Sequence, residues 1–98
     1  MPEGIKYDTE KARWSLLPYR ELTEVVCVLT LGSKKYADEN WKKVQPQPDR
    51  YFSAAMRHLT AWWGGEKKDP ETGKSHLAHV VCCILFLMWF DNEAKDAK

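Results

Sequence analysis

The longest apolar stretch of this chain covers eleven consecutive residues, from Val80 to Phe90. A membrane-spanning helix needs about 20 apolar residues, so the run is too short to cross a bilayer. A helix that is apolar on every side is typical of the centre of a core, or of an interface with a neighbouring chain. The run therefore predicts a small helical domain built around its C-terminal part, with no membrane insertion.

The first fifteen residues are polar and non-periodic, with Gly4 among them, and they predict an extended arm. From Leu16 to about Lys35 the apolar residues recur with the spacing of an amphipathic helix. Pro18 suits the first turn of that helix, and Gly32 lies near its end, where a glycine is expected. The arm is therefore followed by a first helix.

Two more helices are predicted, separated by loops rich in proline, glycine and ionisable residues. Asp49 can cap a second helix from Arg50 to about Trp63, which Gly64-Gly65 would end. Ser75 can cap a third helix that carries the apolar run to about Asn92. The loops are residues 36–49 and 66–74, and residues 93–98 are a frayed tail. The sequence therefore predicts an all-α domain of three or four helices.

The composition describes a single domain of 98 residues. A domain of this size buries only about 60% of its unfolded surface, so additional stabilisation is expected. The three cysteines are odd in number, and Cys82 and Cys83 are adjacent within the apolar run, which favours buried thiols in a reducing compartment. With five tryptophans and a long apolar segment, assembly as a homo-oligomer is the expected stabilisation.

Charge and short motifs exclude several classes of protein. The net charge is +1, which provides no broad basic field for a nucleic acid polymer. The first residues lack the apolar stretch of a secretory signal, so a cytoplasmic protein is expected. The chain has no P-loop, GxSxG, CxxC or GxGxxG motif. Their absence argues against P-loop, serine-hydrolase and redox chemistry.

All three histidines lie between residues 58 and 79, among acidic residues. His76 and His79 are one helical turn apart near the start of the third helix, where they could chelate a metal or face a phosphate. His58, Asp69 and Glu71 complete a set of five possible ligands. Histidines buried in a core and hydrogen-bonded to neighbours are the alternative, and the spacing fits them equally well.

Glu21 and Glu24 are three residues apart on the first helix and share a face. Lys35 comes about three turns after Glu24, so it returns to nearly the same side. Helical bundles hold divalent metals with carboxylates spaced in this way. A solvated charged face is the alternative, and it is the commoner role of an isolated ExxE pair.

Phosphate and base contacts are suggested by the second helix and by the loop before it. Arg57 could clamp a phosphate through two hydrogen bonds, or form a surface ion pair. The segment from Lys35-Tyr36 to Asn40-Trp41 mixes a cation, an amide and aromatic rings, which suits a base and its phosphates. An ordinary amphipathic loop has the same composition, so the two interpretations stay open.

Three motifs in this order resemble a known family: KYDTEKARWSLLP, LTLGSKKYADENW and RYFSAAMRHLTAWWGGEKKDPETGKSHLAHVVCCILFL. They look like the phage and bacterial dATP/dGTP diphosphohydrolase N-terminal domains, which are grouped with the MazG-like all-α pyrophosphohydrolases. The resemblance covers about Lys6 to Leu87. It implies an oligomeric helical domain and Mg²⁺-dependent cleavage of a purine (deoxy)nucleoside triphosphate to monophosphate and pyrophosphate, in the host cytoplasm if a phage encodes it.

The sequence departs from the MazG-like pattern in its acidic residues. Those enzymes hold Mg²⁺ with an ExxE on one helix and an ExxD on a later one. Glu21 and Glu24 can form the first pair, but His76 and His79 stand in the second. Imidazoles are poor ligands for Mg²⁺ and good ones for Mn²⁺, Zn²⁺, Co²⁺ or Fe²⁺. The family resemblance therefore implies Mg²⁺, while the residues also allow Mn²⁺ or another transition metal.

The resemblance and the residues together assign roles for an enzyme. The expected metal ligands are Glu21, Glu24, Asp69, Glu71, His76 and His79, of which Glu24, His76 and His79 are also the expected catalytic residues. The expected phosphate ligands are Lys35, Arg57 and His58. The base and sugar are expected to contact Tyr36, Asn40, Trp41 and the arm residues Asp8, Lys11, Arg13 and Trp14.

Two other functions fit the same residues. The incomplete acidic set is compatible with a non-catalytic phage protein that binds and sequesters a nucleotide made by bacterial immunity, since one fold serves several functions. A helical assembly protein without a small ligand is the remaining alternative, but it has no evident use for the residues of the two loops.

Overall fold

Residues 10–44 and 48–96 are described by the computed structural model, and they form three α-helices and two short 3₁₀ helices without a strand. The α-helices are α1 (Tyr19–Tyr36), α2 (Asp49–Trp63) and α3 (His76–Asp96), and the 3₁₀ helices are Trp14–Leu16 and Asn40–Lys43. The predicted small all-α domain is confirmed.

The first predicted helix begins later than the sequence suggests. Leu16 belongs to a separate 3₁₀ turn, Trp14–Leu16, and Pro18 is the N-cap of α1 rather than part of its first turn. Gly32 does not end the helix, because α1 continues to Tyr36. One glycine costs a helix about 1 kcal/mol, which the neighbouring turns can offset. Of the predicted extended arm, residues 1–9 lie outside the described residues.

The second predicted helix is confirmed at its C-terminal end and shifted by one residue at its start. Asp49 is the first residue of α2 and does not cap it, since Pro48 occupies the N-cap position. At the other end the chain leaves the helix through Gly64-Gly65, as predicted. Gly65 has φ of 107°, a conformation that glycine adopts without strain.

Ser75 caps α3, as the sequence predicts. The backbone N–H of Leu77 donates a hydrogen bond of 3.0 Å to Ser75 Oγ, which satisfies one of the unpaired amides of the first turn. The helix then extends to Asp96, four residues beyond the predicted end at Asn92. The first four residues of the predicted frayed tail, 93–96, are therefore helical, and residues 97 and 98 lie outside the described range.

The central helix is α3, which packs against both α1 and α2. The core joins Val25 and Val28 of α1 to Ala78 and Cys82 of α3. The Cys82 thiol donates to the Val25 carbonyl oxygen at 3.6 Å. Cys83 is buried as well, and both thiols are free, so the prediction of small buried cysteines is confirmed.

One side of α3 is apolar and exposed in the single chain. Val81, Leu85 and Met88 are 38%, 43% and 55% exposed. By length and composition alone α3 could also cross a membrane. That test is weak evidence, because central core helices meet it too, and here α3 packs against both other helices and buries His76 in its first turn.

Candidate functional site

A cleft of about 1140 Å³ lies where the end of α1, the Asn40–Lys43 helix, α2 and the loop before α3 meet. Nine of the predicted site residues line it: Lys35, Tyr36, Asn40, Trp41, Arg57, His58, Asp69, Glu71 and His79. Three separate segments of the sequence therefore contribute to one cavity, which is large enough for a ligand of several hundred Å³.

Two histidines and a glutamate form a hydrogen-bonded chain. His76 is 4% exposed, and its Nε2 lies 2.7 Å from Glu66 Oε1. A carboxylate only accepts, so Nε2 of His76 carries a proton, and in the tautomer with this single proton the lone pair is on Nδ1. Nδ1 of His58 lies 2.8 Å from Nδ1 of His76. It follows that His58 donates to His76, and His76 donates to Glu66.

His79 lines the cleft beside this series of hydrogen bonds. Its ring stacks on that of His58, with centroids 4.4 Å apart and planes inclined by 12°. Its Nε2 lies 2.8 Å from Thr72 Oγ1, and the Thr72 hydroxyl donates to Asp69 Oδ2 at 3.1 Å. Because that hydroxyl has a single proton, the histidine must be the donor, through Nε2–H.

The loop between α2 and α3 places Asp69 beside the histidines. It folds back as a short antiparallel turn, with a bridge between Lys68 and Ser75. The Asp69 carboxylate accepts from the Thr72 backbone N–H at 2.9 Å, the local bond that makes aspartate common in turns. Gly73 has φ of 72°, which a residue with a side chain rarely adopts. The loop predicted at residues 66–74 is confirmed.

The histidine end of the cleft also has the composition of a metal site. One donor atom from each of His58, Asp69 and His76 lies within 4.8 Å of the other two. His76 and Asp69 are among the predicted metal ligands, whereas His58 was predicted to contact phosphate. The predicted ligand His79 donates to Thr72 through its Nε2, as shown above.

Burial sets the charge of this region. Desolvation lowers the pKa of His79, and it also lowers the pKa of His58, where the neighbouring His79 and His76 act in the same direction. Burial by itself would raise the pKa of Asp69. The two hydrogen bonds from Thr72, together with His79 and His58, bring that pKa below its ordinary value. Near pH 7 the region therefore holds neutral His58 and His79 rings beside a carboxylate.

At another part of the cleft, Lys35 at the end of α1 pairs with Glu71 of the loop before α3. Its ammonium also lies 5.0 Å from the centre of the Tyr36 ring. The hydrogen bond that the Lys35 ammonium donates to Glu71, and then its hydrogen bond with Tyr36, raise the pKa of Lys35. The Tyr36 ring is 62% exposed, so most of it is open to a ligand or to solvent.

Trp41 lines the cleft but serves mainly to pack the Asn40–Lys43 helix against α3. Its ring stacks on Phe86 with centroids 4.3 Å apart, and it meets Trp89 edge-on at 5.2 Å. The Tyr51 hydroxyl donates to the Trp41 carbonyl oxygen at 2.8 Å. The predicted contact of Trp41 with a base therefore stays a prediction, for a ring that already has an aromatic neighbour.

The predicted ExxE pair divides between two sets of contacts. Glu24 Oε2 accepts the backbone N–H of Ser75 at 2.5 Å, which ties α1 to the start of α3. Glu21 is exposed and pairs with Arg20 at 2.9 Å. The role of Glu21 and Glu24 as metal ligands stays a prediction.

The arm residues that the structure describes lie apart from the cleft. Lys11 is exposed, and Arg13 and Trp14 line a small separate cavity of about 240 Å³. Asp8 lies outside the described residues.

One residue of the histidine chain, Glu66, was missed by the sequence reasoning. Its only signal is its position directly after the glycine pair that ends α2, and many surface glutamates share such a position.

Comparison with known proteins agrees with the motif resemblance. Residues 1–98 match the family described as dATP/dGTP diphosphohydrolase, N-terminal. The chain is 36% identical over 89 residues to a protein of Salmonella phage PMBT28 named dATP/dGTP diphosphohydrolase. The alignment covers 91% of this chain and 30% of that protein, so the chain spans less than a third of its relative. No solved structure matches the chain significantly.

Proposed function

Since the chain belongs to the dATP/dGTP diphosphohydrolase N-terminal domain family, we propose that it binds the nucleotide in a metal-dependent diphosphohydrolase. The reaction would convert a purine (deoxy)nucleoside triphosphate to the monophosphate and pyrophosphate. The observation that carries the proposal is the cleft, where basic, acidic, imidazole and aromatic side chains meet. The name of the phage relative supports the reaction.

The phosphates would contact basic side chains from two helices. Lys35 of α1 and Arg57 of α2 both line the cleft. Guanidinium groups bind phosphate oxygens through paired hydrogen bonds, while an ammonium acts as a point charge. A triphosphate carries more charge than one carboxylate, so it would displace Glu71 as the counter-ion of Lys35. Binding would then release the loop carboxylate.

The base would stack on Tyr36, whose exposed ring lies next to Lys35. Purines have the larger aromatic surface among the bases, and stacking on an aromatic side chain contributes about 1–3 kcal/mol per base. Asn40 lines the same part of the cleft and offers both a donor and an acceptor for the edge of a base. The preference for purines is supported by this arrangement of one ring and one amide.

The chemistry would occur at the histidine end of the cleft. A carboxylate with imidazoles beside it is a donor set suited to a divalent metal, which when bound would neutralise the charge developing on the phosphoryl oxygens. His79 lines the cleft and is neutral near pH 7, because burial lowers its pKa. With its proton on Nε2, the ring can accept a second proton on Nδ1 from the attacking water.

The exposed apolar side of α3 supports the further proposal that the chain assembles with copies of itself. Val81, Leu85 and Met88 lie along this side, and apolar patches of this kind mark interfaces between proteins. We expect Met88→Glu to shift the mass measured by analytical ultracentrifugation towards the monomer. A wild-type chain that sediments as a monomer at micromolar concentration would contradict assembly.

The free thiols and a nucleotide substrate fit a cytoplasmic site of action.

The proposed function is tested by incubating the protein with each dNTP and NTP, in Mg²⁺, Mn²⁺ or Co²⁺, and separating the products by ion-pair chromatography. Monophosphate and pyrophosphate from a purine nucleotide are the expected products. Because the chain is shorter than its relative, binding is measured in parallel by the quenching of tryptophan fluorescence. Binding without cleavage would place the catalytic activity elsewhere in the longer relatives. The absence of both binding and cleavage would contradict the proposal.

A further inference from the structure

We infer that His58, His76 and Asp69 bind one divalent transition-metal ion, such as Mn²⁺, Fe²⁺, Co²⁺ or Zn²⁺, and that Glu66 positions His76 from outside the ligand set. His58 and Asp69 line the cleft, whereas His76 lies behind them and is almost fully buried. The ion would therefore lie in the wall of the cleft. The binding site stands on its own geometry, and only the use of the ion in catalysis rests on the proposed function.

The distance between the two rings fits a shared ion. The Nδ1 atoms of His58 and His76 are 2.8 Å apart. Two nitrogens bound at about 2.1 Å to one ion lie about 3.0–3.4 Å apart, depending on the angle between them. The rings therefore need to separate by only a few tenths of an ångström. One oxygen of the Asp69 carboxylate lies within 4.8 Å of a ring nitrogen of each histidine, so this carboxylate provides the third ligand.

The protons of the two histidines can be arranged for this role without burying an extra charge. His76 already has the required tautomer, because its Nε2–H is held by Glu66 at 2.7 Å and its lone pair is on Nδ1. For His58 the proton on Nδ1 moves to Nε2 of the same ring, which exposes the second lone pair. A carboxylate behind a metal-bound histidine is the usual arrangement for fixing its tautomer and orientation.

The donor set indicates the class of metal. Two imidazole nitrogens and one carboxylate suit the divalent ions from Mn²⁺ to Zn²⁺, whereas Mg²⁺ prefers oxygen ligands and retains its water. His79 is not one of the ligands in this arrangement, since its Nε2 donates to Thr72 and its ring stacks on His58. It supports the orientation of the His58 ring.

The experiment measures metal binding without nucleotide. The protein is stripped with EDTA, desalted and titrated with Co²⁺ in the presence of excess Mg²⁺, while the visible absorption of Co²⁺ is recorded. One Co²⁺ per chain with nitrogen-ligand bands is expected, and His58→Gln should weaken binding by at least about 100-fold, as expected for a lost ligand. The matched control is His79→Gln, which changes the ring stacked on His58 and should leave binding within about tenfold.

The positioning residue has a separate test. Glu66→Ala should weaken Co²⁺ binding by about 10- to 100-fold, the range found when a carboxylate behind a metal-bound histidine is removed. Glu66→Gln keeps an acceptor oxygen and should restore most of the affinity. Equal losses for His58→Gln and His79→Gln, or no Co²⁺ binding to the wild-type protein, would overturn the inference.

A measurement on the wild-type protein avoids dependence on folded variants. Zn²⁺ is added to ¹⁵N-histidine-labelled protein, and the ring nitrogens are observed by NMR. Coordination should shift Nδ1 of His58 and of His76 and leave Nε2–H protonated on both. Shifts at His79 with an unchanged His76 would overturn the assignment. Co²⁺ binding without nucleotide binding would contradict the proposed function alone, and the reverse result would contradict the metal site alone.

Discussion

Lys35 Nζ lies 2.5 Å from Glu71 Oε1, an ion pair that joins the last turn of α1 to the loop before α3. Both side chains are more than half exposed, and such pairs contribute little to the free energy of unfolding. The pair matters more for ligand binding, because it neutralises a cation in the wall of the cleft. Any phosphate that binds to Lys35 must compete with the Glu71 carboxylate.

We therefore predict opposite effects for the two partners on the affinity for a nucleoside triphosphate without metal. Lys35→Met should raise the Kd by about tenfold or more, the loss of one charge-assisted hydrogen bond. Glu71→Gln should lower the Kd by a few fold, since it removes both the competitor and a like charge. Fluorescence titration measures both. If Glu71→Gln weakens binding in EDTA, the displacement of Glu71 by phosphate is wrong.

The second prediction concerns Trp41, which holds the Asn40–Lys43 helix on α3 through its contacts with Phe86 and Trp89. Trp41→Ala should lower the free energy of unfolding by about 2–3 kcal/mol, less than for a fully buried tryptophan because the ring is half-buried. The measurement is urea denaturation. Trp63→Ala is the matched control, because Trp63 is 82% exposed and should change stability by less than about 0.5 kcal/mol. Similar losses for both variants would contradict the assigned role.

The three helices could be predicted because their signals are local. Apolar periodicity, the Ser75 cap and the Gly64-Gly65 stop each depend on a few neighbouring residues. The Asn40–Lys43 helix was missed within a predicted loop, because it is stabilised by the distant Phe86. Secondary structure that depends on such tertiary contacts leaves no periodic signal in the sequence.

The sequence predicts which residues line the site better than it predicts which of their side chains contact one another. Most of the residues singled out by type and spacing line one cleft. Which histidine faces which partner depends on how α2 packs against α3, and this sets the 2.8 Å contact between His58 and His76. Glu21 and Glu24 share a helix face by spacing, yet only Glu24 is turned towards α3. The packing of α1 decides that difference.

The third prediction separates a structural from a metal-binding role of Glu24. Its carboxylate accepts the Ser75 N–H at 2.5 Å. Glu24→Ala should lower the free energy of unfolding by about 1.5–3 kcal/mol, as for a lost hydrogen bond to a charged group. Glu24→Gln keeps an acceptor oxygen and should cost less than about 1 kcal/mol. Glu21→Ala is the control, at an exposed site, with no measurable loss expected.

Calorimetric titration with Mn²⁺ completes the comparison of these variants. If Glu24 acts only through Ser75, Glu24→Gln should bind Mn²⁺ as the wild-type protein does. Loss of Mn²⁺ binding in Glu24→Gln, with stability unchanged, would restore Glu24 to the metal ligands predicted from the ExxE spacing.

The fourth prediction uses the buried thiols of α3. Burial, together with the neighbouring Cys83, raises the pKa of Cys82 to about 12, and burial raises the pKa of Cys83 to about 11. Iodoacetamide reacts with thiolates, so at pH 8.5 the native protein should be labelled at the half-buried Cys27 only. In urea all three cysteines should react. Mass spectrometry counts the labels, and native Cys27→Ser is the control that should take up none.

The same shifts predict how stability depends on alkaline pH. A thiol whose pKa is raised by folding favours the protonated state in the native protein, so the unfolded chain loses its proton first as the pH rises. The stabilisation is complete below the ordinary thiol pKa of about 8.5 and is lost as the pH rises towards the folded values. Loss of the thiol proton also removes the bond from Cys82 to the Val25 carbonyl. Urea denaturation at pH 7 and pH 10 should show lower stability at pH 10, with a smaller decrease in Cys82→Ala. An equal decrease in that variant would assign the alkaline loss to other groups.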